Sequence, residues 1–335
     1  MQKKCIILCM SCNIDYYTRY ASLVRDTWGR PVLEGKYDNL ELWFYTSSRH
    51  NSIDLDTHTI YINTEDDIYN TFDKTIKAYE IVEKYFDYDF ILVTNCSTVM
   101  NCQLLSYFVN NIPDYYSCFN YLYYMQEEFK YYYCFQGLFM LFPKFMIKWF
   151  IENQKTNIIT FNNQQYVQSE THPDKYLWAC NDLALAYLYD LYFRKNNLDI
   201  MKYTIFVPCA YYKKTIHRNI MSTAIYPDYF NIDGKIDLGY DITDINYYSK
   251  FLNVVCKESN MYEYLIEFNR PSEDTYNETF KNIYELSKMY TTNDISDNVE
   301  DLYMNIISNC KGRVFIEGFS ASDGLVKTKE EILNL

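Results

Sequence analysis

Short apolar runs, each too brief for a helix, alternate with stretches of helical spacing over the first two-thirds of the chain. This alternation limits the fold more than any other feature. Residues 4–11 form the first run and read as a buried strand. Residues 16–28 carry helical spacing and end at Trp28-Gly29, which places Gly29 just past a helix with Pro31 after it. Segments 40–45 and 57–62 read as strands. Segment 68–86 reads as a helix, with Ile68, Phe72, Ile76, Tyr79 and Val82 at helical spacing. A buried strand is expected at 89–94, a helix at 102–110 and a strand at 115–122. Another strand follows Gly137, with Pro143 at the next helix start. Segment 177–192 reads as a long helix and 204–207 as a strand.

The pattern predicts an α/β fold: a mainly parallel, Rossmann-like sheet flanked by helices. Ligands bind such sheets outside the carboxyl ends of the strands. Three polar clusters fall at expected strand ends: Ser11-Cys12-Asn13, the Thr94–Thr98 stretch, and the segment before Asp182. Past residue 225 the character changes. Residues 228–244 are polar and hold two of the eight glycines; helical spacing follows at 245–256, 275–290 and 297–310, then a short strand at 313–317 and a polar tail. Two parts are expected, a core over 1–225 and a mainly helical accessory region over 226–335.

Charge and composition narrow the function. A net charge of −13, from 31 basic and 44 acidic residues, argues against nonspecific nucleic-acid binding, which needs a basic face. No apolar run approaches the ~18 residues of a membrane helix. The N-terminal run is shorter than a leader's apolar region and no small-residue cleavage site follows it, so a cytoplasmic protein is expected. The eleven cysteines show no framework spacing; Cys9 and Cys12 stand as C-x-x-C with no second pair, which suits reduced thiols. The 38 tyrosines, with abundant Asn, Ile and Lys, fit an AT-rich coding source such as a large DNA virus, and hence a host cytoplasm. Neither G-x-G-x-x-G nor G-x-x-x-x-G-K-[ST] occurs.

Individual residues leave alternatives open. Arg19, Arg25 and Arg30 stand six and five apart, on different faces of the first helix. Lys74, near a helix start, suits a phosphate or an ordinary surface. Asn181-Asp182 opens an apolar helical run, as an N-cap or with Asp182 as a base. His217 follows the last core strand as a ligand or a structural residue.

Taken in order, these segments resemble the β-1,3-galactosyltransferase and fringe group of GT-A glycosyltransferases. Arg25-Asp-Thr-Trp-Gly29 matches that group's Arg-x-Thr-Trp-Gly, and Tyr69-Asn70 with Lys74-Thr75 matches its helix start. Phe90 to Asn101 follows its strand and Asp-Asp-Asp segment, with Asn95-Cys96-Ser97 in the place of the acidic triplet. Cys134 to Phe142 loosely matches its glycine-rich segment, Asn181-Asp182-Leu183 its Glu/Asp-Asp-Val, and His217 its late histidine. The similarity spans residues 4–220. It implies inverting transfer from a nucleotide-sugar donor, a uridine one, to a glycan or other hydroxyl acceptor, with Asp182 as general base. It assigns Ser11, Arg25, Lys74, Thr94, Asn95, Ser97 and His217 to the donor, and Gly137 and Trp178 to the acceptor. It also implies a divalent cation, manganese or magnesium, on the donor diphosphate. The triplet here offers no carboxylate, and hard cations want carboxylate oxygen. Three readings follow: metal-independent transfer with Arg25, Lys74 or His217 compensating the diphosphate's charge, Asn95 and Ser97 hydrogen-bonding the ribose or phosphate instead, or a catalytically inactive binding module.

Overall fold

A computed structural model of the chain describes residues 2–225, apart from 14, 27, 97, 101, 124–132, 209, 213–215 and 219–221, together with 326–333. The elements are β1 (Cys5–Met10), α1 (Asp15–Asp26), α2 (Arg30–Leu33), β2 (Leu40–Ser48), β3 (Ser52–Asp54) and β4 (Thr59–Asn63). A 3-10 turn (Ile68–Asn70) leads into α3 (Thr71–Tyr85), then β5 (Phe90–Asn95), β6 (Thr98–Met100), α4 (Cys102–Asn111), β7 (Ser117–Tyr123), β8 (Tyr133–Pro143) and α5 (Lys144–Asn153). Next come β9 (Ile158–Phe161), β10 (Gln164–Gln168), β11 (Lys175–Trp178) and α6 (Asn181–Lys195). The strands β12 (Thr204–Pro208), β13 (Ala210–Tyr212), β14 (Ile216–Arg218) and β15 (Ser222–Ile225) follow.

Eight strands form the main sheet in the order β12-β7-β8-β5-β1-β2-β4-β3. β1 runs parallel to both β2 and β5, β2 to β4, and β12 to β7. Only β8 and β3 run against their neighbours. The α/β, mainly parallel expectation is therefore met. From β1 the chain moves to β2 and β4 on one side, then crosses to β5 on the other. That reversal makes the carboxyl ends of β1 and β5 a switch point, where the loops part and leave a crevice.

Both faces of the sheet are covered, which is why Cys5–Met10 and Phe90–Val93 read as unbroken apolar runs. Ile6, Leu8, Tyr45 and Val93 share one core with α3, α5 and α6, through Ile76, Tyr79, Phe150, Leu185 and Leu188. Alternate residues point the other way. There Phe44 meets Arg25 of α1, and Leu42 lies beside Gly29 at the start of α2. Two smaller antiparallel sheets flank this body, one ordered β13-β14-β15-β6, the other β9-β10-β11 closed by β16 (Val326–Thr328).

Several expectations are corrected. Gly29 is not a left-handed cap: its φ and ψ are −77° and −26°, and the chain re-enters α2 with Pro31 in its first turn. Glycine is needed for space, because a Cβ would sit 2.6 Å from Leu42 Cδ2 and 2.7 Å from the Val24 carbonyl oxygen. The expected helix over 177–192 begins only at Asn181; Leu177 and Trp178 belong to β11, pairing with Val167 and Tyr166. Periodicity alone does not separate a short buried strand from a helix segment. The N-cap of α6 is Cys180, with φ −64° and ψ 164°, rather than Asn181 or Asp182. The β9–β10 hairpin was not expected, although its turn residues Asn162 and Asn163, both at positive φ, are what a two-residue hairpin loop favours.

The expected features at 228–244, 245–256, 275–290, 297–310 and 313–317 lie outside the described residues. The expected polar tail contains β16 and a helix at Lys329–Leu333. Thr328 and Glu331 close a reciprocal capping box: the Glu331 carboxylate accepts the Thr328 N–H at 2.6 Å, and the Thr328 hydroxyl accepts the Glu331 N–H at 3.3 Å. Ile332 is buried against Tyr166 and Tyr176. Among the described residues no helix is long and apolar enough to cross a membrane.

Gly29→Ala forces a contact that backbone must relieve. Urea unfolding should show a loss of about 1–3 kcal/mol, as for other overpacking changes, with the slope m unchanged.

Candidate functional site

Four segments meet at the carboxyl edge of β1, β2 and β4. Lys74, in the first turn of α3, is 2% exposed; its Nζ donates to Asp66 Oδ1 at 2.6 Å and to the Ser11 carbonyl at 3.2 Å. The Asn13 N–H donates to the other oxygen of Asp66, and the Asn13 amide reaches the Ser47 carbonyl at 2.9 Å. Asp67 accepts from the Tyr69 and Asn70 N–H groups, at 2.8 and 2.9 Å, and so sets the 3-10 turn that feeds α3. Lys74 and Ser11 are thus brought together. The ammonium, however, is already paired with Asp66. Asp66 was missed because it lies in an acidic run, Glu65-Asp66-Asp67, that reads as solvated surface.

Asp182 lies one residue into α6, close to β8. Its Oδ2 accepts the Gly137 N–H at 3.0 Å. A Cβ on Gly137 would stand 3.1 Å from Asp182 Oδ1, so glycine allows the strand to approach the carboxylate. Burial raises the Asp182 carboxyl to about 7, and the Gly137 hydrogen bond opposes that rise. A carboxyl tuned to that range suits proton transfer near neutral pH. Burial and the neighbouring carboxylate push the Cys180 thiol up to about 12, which disfavours the thiolate. Asp182 also acts on Tyr45, whose phenol burial has already raised and whose hydroxyl meets Thr75 at 3.0 Å. α3 and α6, which carry Lys74 and Asp182, pack into one core and so lie on one face of the sheet.

Trp178 and Asn181 flank the same place. The Trp178 ring lies 5.7 Å from that of Tyr69, and the Asn181 N–H donates to Thr71 Oγ1 at 3.4 Å. Both contacts are to the segment that starts α3. Asn95 ends β5 opposite Met10, with Thr94 opposite Cys9. The Asn95 amide oxygen accepts the Thr98 hydroxyl at 2.9 Å. Ser97 lies outside the described residues. His217 pairs with Ala224, and Ala224 with Thr98, so its backbone stands two strands, about 10 Å, from the end of the triplet segment. Arg25 stands apart: its guanidinium covers the Phe44 ring at 3.8 Å and donates to Thr59 Oγ1 at 3.0 Å and the Thr57 carbonyl at 3.2 Å. Phe44 points away from the α3 face, so the sheet separates Arg25 from Lys74 and Asp182.

The residues at the triplet do not fit a hard divalent cation. Cys96 is buried with its sulfur 3.7 Å from that of Cys9, and Asn95 is engaged by Thr98. Neither offers the carboxylate oxygen such ions prefer. Among the described residues no three His, Cys, Asp or Glu side chains converge.

No family profile and no curated protein matches the chain. Among solved structures it is similar to a glycosyltransferase involved in the glycosylation of the major capsid of PBCV-1, with 12% identity, 45% of this chain and 67% of that chain covered, and a TM-score of 0.28. A likeness that distant says nothing of this chain's chemistry.

Two measurements test the site. Asp66→Ala strands the Lys74 ammonium without its partner and should cost about 3–5 kcal/mol in urea unfolding. Lys74→Met leaves only the more exposed Asp66 carboxylate unpaired and should cost less. The Asp182 carboxyl, raised from 3.8 to about 7 in the folded chain, binds more protons folded than unfolded between those values. Its contribution to stability is full below pH ~4 and is lost as pH rises to ~7. Unfolding profiles of wild type and Asp182→Asn should diverge in that window only.

Proposed function

We propose that the chain is a glycosyltransferase that moves a sugar from a nucleotide-sugar donor, a uridine one, to a hydroxyl acceptor with inversion. The observation that carries this reading is the Asp182 carboxylate, held by the Gly137 N–H, raised by burial to about 7 and close to the start of α3. The order of motifs over residues 4–220 supports it. In the reaction, the acceptor hydroxyl gives its proton to Asp182 as its oxygen bonds the anomeric carbon. The bond from that carbon to the diphosphate oxygen breaks, and the nucleoside diphosphate leaves with the electron pair. The donor lies over the carboxyl ends of β1 and β5, near Ser11, Thr94, Asn95, Ser97 and His217, and the acceptor beside Gly137 and Trp178. Lys74 holds Ser11 in place and keeps the edge rigid, and Arg25 supports the sheet from its other face. Positioning supplies most of the acceleration. No step passes through a metal ion.

A second reading, a binding module of the same fold without turnover, is favoured by one specific observation. Lys74, one of the cations assigned to the donor, is neutralised by Asp66.

Asp182→Asn should lower kcat at least ~100-fold, the lower range for a general base. The wild-type rate should rise with pH, with a midpoint near 7, and transfer should persist in EDTA. Wild-type turnover in Asp182→Asn overturns the base assignment. Loss of activity in EDTA with rescue by manganese shows that other groups hold a metal. No turnover with any uridine sugar, but stabilisation of the fold by uridine diphosphate, favours the binding module.

A further inference from the structure

Asp182 stands one residue inside α6, and that helix starts on Cys180, whose side chain makes no capping hydrogen bond. The first N–H groups of a helix have no partner within it. The Asn181 N–H finds one on another helix: it donates to Thr71 Oγ1, on the first residue of α3, at 3.4 Å. The Thr71 hydroxyl has one hydrogen. It goes to the Ile68 carbonyl at 3.0 Å, which leaves a lone pair for Asn181. The same turn is tied to β2. Thr75 Oγ1 donates to the Thr71 carbonyl at 2.9 Å, so Tyr45 is the donor in its 3.0 Å contact with Thr75 Oγ1. Tyr45 is in turn a group on which the Asp182 charge acts. Thr71 thus joins the start of α6 to α3 and, through Thr75, to β2.

We propose that Thr71 is a positioning residue for the candidate base: its hydroxyl caps α6 from the neighbouring helix and so fixes the seat of the Asp182 carboxylate against Gly137, a role that rests on the transfer reading above. The seat has little slack. Asp182 Oδ2 lies 3.0 Å from the Gly137 N–H, and a Cβ on Gly137 would stand 3.1 Å from Oδ1. A small shift of α6 along or away from β8 loses the hydrogen bond or the seclusion of the carboxyl. Without the Thr71 acceptor the Asn181 N–H must turn to water, and water then enters beside Asp182. Burial is the larger influence on that carboxyl, so wetting it prevails over any loss at Gly137. The groups that feel Asp182, Tyr45 and Cys180, are held neutral by burial and do not titrate near pH 7. Thr71 meets neither substrate nor reacting atom in this arrangement; it acts through α6.

The test is the titration of the Asp182 carboxyl by carbon NMR in the full chain, with no substrate present. The wild-type midpoint should lie near 7. Thr71→Val, the same shape without the hydroxyl, and Thr71→Ala should lower it by about one unit or more, towards the 3.8 of a solvated carboxyl. Thr71→Ser keeps the hydroxyl and should restore the wild-type midpoint. A purely structural threonine would lower Tm and leave the midpoint in place. Where transfer is measured, Thr71→Val should lower kcat about tenfold or more with acceptor KM unchanged. A wild-type midpoint in both Thr71→Val and Thr71→Ala, or a Thr71→Ser shift as large as theirs, overturns the role of Thr71. A midpoint that moves in Thr71→Val and Thr71→Ala alone, without transfer from any nucleotide sugar, upholds the seating of Asp182 by Thr71 and sinks the transfer reading. Transfer that Asp182→Asn abolishes, with wild-type midpoint and kcat in Thr71→Val and Thr71→Ala, does the reverse.

Discussion

The ammonium of Lys74 ties together the carboxyl edge of the sheet. It is buried and reaches both Asp66, past the end of β4, and the carbonyl of Ser11, past the end of β1. Taking such a charge out of water is expensive, and only a close partner and further hydrogen bonds offset that cost. Asp66 supplies the partner and is itself bound by the Asn13 N–H, while Asn13 reaches across to the Ser47 carbonyl at the end of β2. Three strand ends and the first turn of α3 thus depend on one ion pair. Asn181 of α6 and Trp178 of β11 both meet the segment that starts α3, through Thr71 and Tyr69.

The second constraint is the one antiparallel strand inside the sheet. β8 lies between β5 and β7 and runs against both. It therefore carries Gly137 to the edge of the sheet where β5 ends, and the missing Cβ there lets Asp182 come within hydrogen-bond distance of the strand backbone. Burial of the carboxyl and the N–H that faces it act in opposite directions, and burial prevails. This balance differs from that at Lys74. One charged group is paired and serves the framework; the other is raised by burial that a single N–H does not offset.

Much of the framework was legible in the chain. Strands such as Cys5–Met10 and Phe90–Asn95 lie in a sheet covered on both faces, so their apolar runs are unbroken and short. The helix Thr71–Tyr85 shows its buried side as a helical repeat because its other side meets solvent. The β11–α6 junction was misread for the opposite reason. α6 is buried on nearly all sides and β11 is apolar as well, so neither period stands out across Leu177 to Tyr192. Of the candidate site, Asp182, Lys74 and Ser11 were singled out by type and position, and Gly137 and Trp178 by the resemblance; Lys74 meets Ser11, Asp182 meets Gly137, and Trp178 meets Tyr69 just before α3. Arg25 was singled out in the same way and lies across the sheet, because a helix residue's facing depends on how the helix is rotated on its strands.

The sequence by itself determined the order and kind of the main elements and the polar residues that end the strands, since these follow from local period and turn chemistry. The tertiary structure alone decided which of those polar groups find each other. That Asp66 neutralises Lys74, that Gly137 faces Asp182, and that the Asn181 N–H meets Thr71 are contacts between residues apart in the chain. Such pairings depend on burial and on a few ångströms of approach, and neither is written in any local stretch of residues.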